Sequence, residues 1–164
     1  MDVLVSFYSR TGNTKKTAQS IARMCSNKDL DVKTEEIVDE KVRGGILGFL
    51  RGGKDALLKK ETEIEDSSHD PAEADVVIVG SPVWAGNITP AVRTYLNRHS
   101  DMIEKVSFFC THGGGDPSNV FETMEDIVEE SPEAILSVRD KNVKKNKHLD
   151  EVERFVEEIS HNVL

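Results

Sequence analysis

Short apolar runs alternate with amphipathic stretches from one end of this 164-residue chain to the other. Runs over residues 2–8, 30–38, 74–80, 105–110 and 134–138 predict strands. Val3-Leu4-Val5-Ser6-Phe7 and Val76-Val77-Ile78-Val79 are apolar almost without a break, as central parallel strands buried on both faces are. The intervening segments carry apolar residues at helical spacing: Ala18, Ile21 and Cys25; Val92, Tyr95 and Leu96; Val120, Met124, Ile127 and Val128; Val152, Phe155, Val156 and Ile159. Thr89 followed by Pro90 is a helix start, a capping hydroxyl before the residue best suited to the first helical position. This alternation predicts an α/β fold, a three-layer α/β/α sandwich on a five-stranded parallel sheet, as a single domain over residues 1–164. Periodicity leaves the strand order open.

Composition narrows the function classes. The formal net charge of −9 disfavours nucleic acid and anionic membrane surfaces. No stretch approaches the roughly 20 apolar residues of a membrane span, and the expected location is cytoplasmic. The two cysteines, Cys25 and Cys110, form no C-x-x-C pair, so neither a zinc site nor a redox dithiol is expected. An arginine six residues after Cys110, as cysteine phosphatases require, is replaced by Asp116.

Three loops have unusual composition. The first, Ser9-Arg10-Thr11-Gly12-Asn13-Thr14, joins the first strand to a helix. Unpaired amides at a helix start, hydroxyls from Ser9, Thr11 and Thr14, and the amide of Asn13 suit an anion such as phosphate. The same residues also suit an ordinary capped turn. Neither a G-x-x-x-x-G-K-[ST] loop nor a G-x-G-x-x-G fingerprint is present. The second loop is Ser81-Pro82-Val83-Trp84-Ala85-Gly86-Asn87, which contains the one tryptophan. That indole suits either core packing or a wall against a flat aromatic ring. The third is Thr111-His112-Gly113-Gly114-Gly115, followed by Asp116 and Pro117.

The Thr11-Gly12-Asn13-Thr14 core placed directly after the first strand resembles the phosphate loop of the flavodoxin-like family. Gly80-Ser81-Pro82-Val83-Trp84, followed by Gly86-Asn87 and Thr89-Pro90, is similar to the second flavin loop of that family. The resemblance implies strand order 2-1-3-4-5 and flavin mononucleotide (FMN) as cofactor. It implies that residues 9–14 hold the phosphate, that residues 81–87 border the isoalloxazine near N5 and O4, and that residues 111–115 meet the pyrimidine end. In an open parallel sheet of that order, the loops after strands one, three and four line one crevice. The third loop departs from the family in carrying His112 and glycines where many flavodoxins place a stacking aromatic, which leaves one ring face open or covered by His112 or Phe49.

Three functions follow as expectations. The first, slightly favoured, is electron transfer between redox partner proteins, with acidic residues such as Glu122, Glu125, Asp126 and Glu129 as a docking rim. The second is an NAD(P)H-dependent FMN oxidoreductase with a quinone or other small-molecule electron acceptor. The third is a flavin-free binding module. The chain is expected to be a monomer or homodimer. Residues 43–53, glycine-rich and apolar, are read as core packing or a contact surface, within the one basic district of the sequence, Lys41 to Lys60.

Overall fold

The computed structural model describes residues 1–40, 54–55 and 59–163. Residues 43–53, including Phe49, and residues 56–58 lie outside the described residues. Five parallel strands form one sheet in the order β2-β1-β3-β4-β5: β1 Asp2–Phe7, β2 Asp31–Glu36, β3 Val76–Pro82, β4 Val106–His112 and β5 Ile135–Arg139. The helices are α1 Asn13–Ser26, α2 Pro90–His99, α3 Ser118–Val128, the short α4 Asp140–Lys144 and α5 Leu149–Val163.

The period of two along each strand sorts the core into two layers. Leu4, Val77, Val79, Phe108 and Cys110 face α2 and α3, where Val92, Tyr95, Leu96, Val120 and Met124 meet them. Val3, Val5, Phe7, Val76, Ile78 and Phe109 face the other way, onto Ala18 and Ile21 of α1 and Val152, Phe155 and Val156 of α5. Both cysteines are free and buried, and burial pushes the Cys25 thiol up to about 11 and that of Cys110 up to about 12. Neither is a thiolate at neutral pH.

Two strand ends and one helix differ from the expectation. β3 runs on through Ser81 and Pro82, and β4 through Thr111 and His112, so these four residues belong to strands and not to loops. Ladder pairing accounts for it: Ser81 stands opposite Cys110, Pro82 opposite Thr111, and His112 opposite Arg139. The unexpected α4 is held by Val143, fully buried among charged neighbours.

A polar network crosses the α2 side. Ser6 Oγ donates to Glu35 Oε1 at 2.9 Å and lies 2.8 Å from the Tyr95 hydroxyl. Glu35 Oε2 accepts from the amides of Ser68 and His69. The His99 ring tilts against Tyr95, with Nε2 3.0 Å from Ser67 Oγ. Burial holds the imidazole of His99 below its ordinary range, and burial does the same at His148. A base with a depressed folded pKa leaves the unfolded chain binding more protons, so stability is present above the ordinary value of 6.5 and falls as pH drops below it. Urea midpoints measured downward from neutral pH should decline in that window, and less so in His148→Gln.

Candidate flavin crevice

The first loop leaves β1 and turns into α1 at Gly12, whose φ of 93° lies in the left-handed region. The helix starts with Lys16 N donating to Gly12 O at 2.9 Å. Ser9 Oγ takes the Lys15 amide at 3.2 Å. Among the described residues, no hydrogen bond uses the amides of Asn13 or Thr14, and no acidic side chain stands in the first turn. Thr11 and Gly12 are exposed, Ser9, Arg10 and Asn13 half-buried. The first turn itself thus carries no carboxylate to compete with an anion; Glu36 of β2 is paired to Lys15 Nζ at 2.8 Å.

Thr14 is the exception among the expected phosphate donors. It is buried, and its Oγ1 lies 2.8 Å from Thr111 Oγ1 at the end of β4. This bond ties the first loop to the third. Thr14→Val in flavin-free protein should cost about 1–3 kcal/mol, because the Thr111 hydroxyl is then buried without a partner. Thr14→Val/Thr111→Val should recover much of it, a non-additivity read by urea denaturation.

The second loop begins at Val83, whose amide donates across to Thr111 O at 2.9 Å. Trp84 and Asn87 then exchange both backbone bonds, at 2.9 and 3.0 Å, around Ala85 and Gly86 with φ of 49° and 74°. Positive φ at both central residues is the signature of a mirror-image two-residue turn. The Asn87 side chain turns inward: Oδ1 accepts from Ile88 N and from Arg93 Nη2. Ser81 Oγ accepts from Thr89 N, and Thr89 Oγ1 accepts in turn from Val92 N to cap α2. Trp84 is only 8% exposed. Tyr8 meets it edge to face at 5.6 Å, and the Arg10 guanidinium stands 5.8 Å from its ring centre.

The third loop is bare. Gly113, Gly114 and Gly115 are exposed, with open space where a Cβ would stand. His112 does not cover the crevice. It is buried in β4, and its Nε2 lies 2.9 Å from Ser137 Oγ on β5. Asn119, on the first turn of α3, donates through Nδ2 to Gly86 O at 2.8 Å and so clamps the second loop to the third. The sequence offered no sign of Asn119. Tyr8 ends the strand predicted over residues 2–8, and its position as the residue before Ser9 is the available signal. No group of side chains suited to a metal ion occurs among the described residues.

The sequence model of the NADPH-dependent FMN reductases matches residues 3–120, from β1 into α3. The chain belongs to the NADPH-dependent FMN reductase family. Among curated proteins, none matches the sequence. Solved structures share its fold. A Lactobacillus acidophilus flavoprotein in complex with FMN is 22% identical, with TM-score 0.65, over 88% of this chain and 97% of that one. A two-electron reduced Megasphaera elsdenii flavodoxin is 15% identical, with TM-score 0.64, over 98% and 97%. An oxidised flavodoxin from Bacillus cereus is 16% identical, with TM-score 0.61, over 98% of both chains. The strand order and the flavodoxin-like architecture agree, and FMN is the cofactor of the family.

The residues present fit that cofactor. Free amides in a first turn that has no carboxylate of its own suit a phosphate, and Gly12, Gly86 and Gly113 to Gly115 leave room for a ring to approach backbone. No helix among the described residues is long and apolar enough to cross a membrane.

Proposed function

We propose that this protein is an FMN-dependent oxidoreductase that accepts hydride from a reduced nicotinamide and passes electrons to a small acceptor such as a quinone. Residues 9–13 hold the ribityl phosphate through backbone amides and short polar side chains. Residues 83–87 border the ring at its redox-active edge, and residues 113–115 receive its pyrimidine end. Ser81, Pro82, Thr111 and His112 act one step back, by fixing the loops that follow them. Bound FMN supplies the redox chemistry, and the chain supplies binding, orientation and exclusion of water.

The observation that carries this reading is the bare third loop. Its glycines are exposed, and its one ring, His112, is turned away to Ser137. A third loop with no stacking aromatic of its own suits access of a second substrate to the ring, whereas outer-sphere transfer to a protein needs no such access. The family match supports the same choice over the electron carrier. Anaerobic addition of NADPH to FMN-loaded protein should bleach the flavin absorbance, and a quinone should restore it. A flavin reduced by dithionite but by neither NADPH nor NADH would favour the carrier, with the exposed acids Glu122, Asp126 and Glu129 on and beside α3 as its docking rim.

A further inference from the structure

The acidic chain has a second basic district besides the one over Lys41 to Lys60. Arg139, Lys141, Lys144, Lys145 and Lys147 fall on and around α4, all of them exposed. Opposite them on α1 stand Lys16 and Arg23. Between α1 and the start of α5 lies a groove of about 550 Å³, lined by Lys16, Gln19, Ser20, Arg23, Asn146 and Leu149. That volume falls in the range of small-molecule sites. Among the described residues, neither Lys16 nor Arg23 has an ion-pair partner.

His148 lies behind the groove wall and reaches it through Ser20. It is fully buried, and its Nε2 lies 3.2 Å from Ser20 Oγ. Burial and the charge of Lys16 hold its imidazole below the ordinary range, with Arg23 acting in the same direction. The Asn142 carbonyl and the Glu151 carboxylate act the other way. Lys16 and Arg23 thus line one concave surface, whose Ser20 hydroxyl lies within hydrogen-bond distance of a buried imidazole. Gln19 and Asn146 add neutral donors and acceptors, and Leu149 an apolar wall.

We propose that this groove binds a phosphate-bearing ligand of nucleotide size, at a site separate from the loop that holds the flavin phosphate. Lys16 and Arg23 pair with the phosphate, the arginine fork being suited to two of its oxygens. The surrounding lysines of α4 raise the local concentration of anions. A concave site with short polar side chains suits a small molecule better than the flat surface of an acidic protein. The site does not depend on the proposed reaction.

The test is a titration of isotope-labelled, FMN-saturated protein with 2′,5′-ADP, 5′-AMP and inorganic phosphate, followed by NMR. Saturating FMN fills the first loop, so a new phosphate cannot report from there. The nucleotides should produce saturable shifts in the amides of residues 16–23 and 145–150. Binding should weaken as salt is raised and fall by at least about tenfold in Lys16→Gln/Arg23→Gln, since each charge-assisted bond carries an appreciable share. Both side chains are solvent-accessible, and an otherwise unchanged spectrum of the double variant checks its fold. Occupancy should also raise the titration midpoint of His148, because the anion offsets Lys16 and Arg23. Shifts that never saturate, or that persist in the double variant, overturn the proposal. Inorganic phosphate binding as tightly as either nucleotide overturns the assignment to a nucleotide-sized ligand. Failure of FMN to bind would count against the proposed function, and the same titration on flavin-free protein would still decide the groove.

Discussion

Gly80→Ala should destabilise the protein by about 3 kcal/mol, a large effect for one methyl group. Gly80 stands opposite Phe109 where β3 and β4 pair. A Cβ at position 80 would meet Cζ, Cε1 and Cε2 of the Phe109 ring, all closer than 3.0 Å. The ring is fully buried and has no free space to move into. It must leave its rotamer or push the strands apart. The entropy that alanine removes from the unfolded chain offsets only about 0.4–1 kcal/mol of this. For a chain of this size the loss corresponds to a midpoint lower by roughly 10 °C. Phe109→Leu should rescue the variant in part, a coupling that two independent sites would not show. The strain would also reach the crevice, because Ser81 follows Gly80 and its hydroxyl accepts the Thr89 amide that starts α2.

Asn13→Asp should act in opposite directions on stability and on flavin binding. Asn13 is the first residue of α1, and that turn carries no acidic side chain. A carboxylate there meets the positive end of the helix and should stabilise flavin-free protein by about 0.3–1 kcal/mol. The same charge would face the FMN phosphate and compete for the free amides. A like charge at close range, together with disturbed charge-assisted bonds, should weaken FMN by roughly a hundredfold, about 3 kcal/mol. Riboflavin, which lacks the phosphate, should lose little. Thermal melts of flavin-free protein and quenching of flavin fluorescence read the two effects separately. A variant that binds FMN as well as the parent would place the phosphate elsewhere.

The architecture was legible in the sequence because burial on both faces leaves β3 almost without polar residues, and because α2 begins on a marked cap, Thr89-Pro90. The ends of β3 and β4 were not. Ser81, Thr111 and His112 look like loop residues, yet their hydroxyls and ring have partners across the sheet and on neighbouring elements. The link from Ser6 to Glu35 was hidden for a similar reason. It exists because β1 and β2 pair with these two residues opposite one another, and periodicity does not reveal register. The short α4 depends on a single buried valine among charges, too little to recognise as a helix.

In the crevice, composition singled out the three loops but not the bonds between them. The sequence left open whether Trp84 packs in the core or walls a ligand. Its neighbours Tyr8 and Arg10 and its low exposure show an indole held in place by protein on at least one side. The clamp from Asn119 to Gly86 joins residues 33 positions apart and has no local signature. The basic groove lay equally out of view, since Lys16 and Arg23 of α1 meet Asn146 and Leu149 there, far apart in the sequence.

The central claim is that the start of α1 holds the phosphate of FMN. Parallel titrations of flavin-free protein with FMN and riboflavin, followed by flavin fluorescence, test it most directly. Free amides and the helix end acting on a dianion should favour FMN by roughly a hundredfold or more. Equal affinity for the two flavins, or no binding of either, would contradict the account.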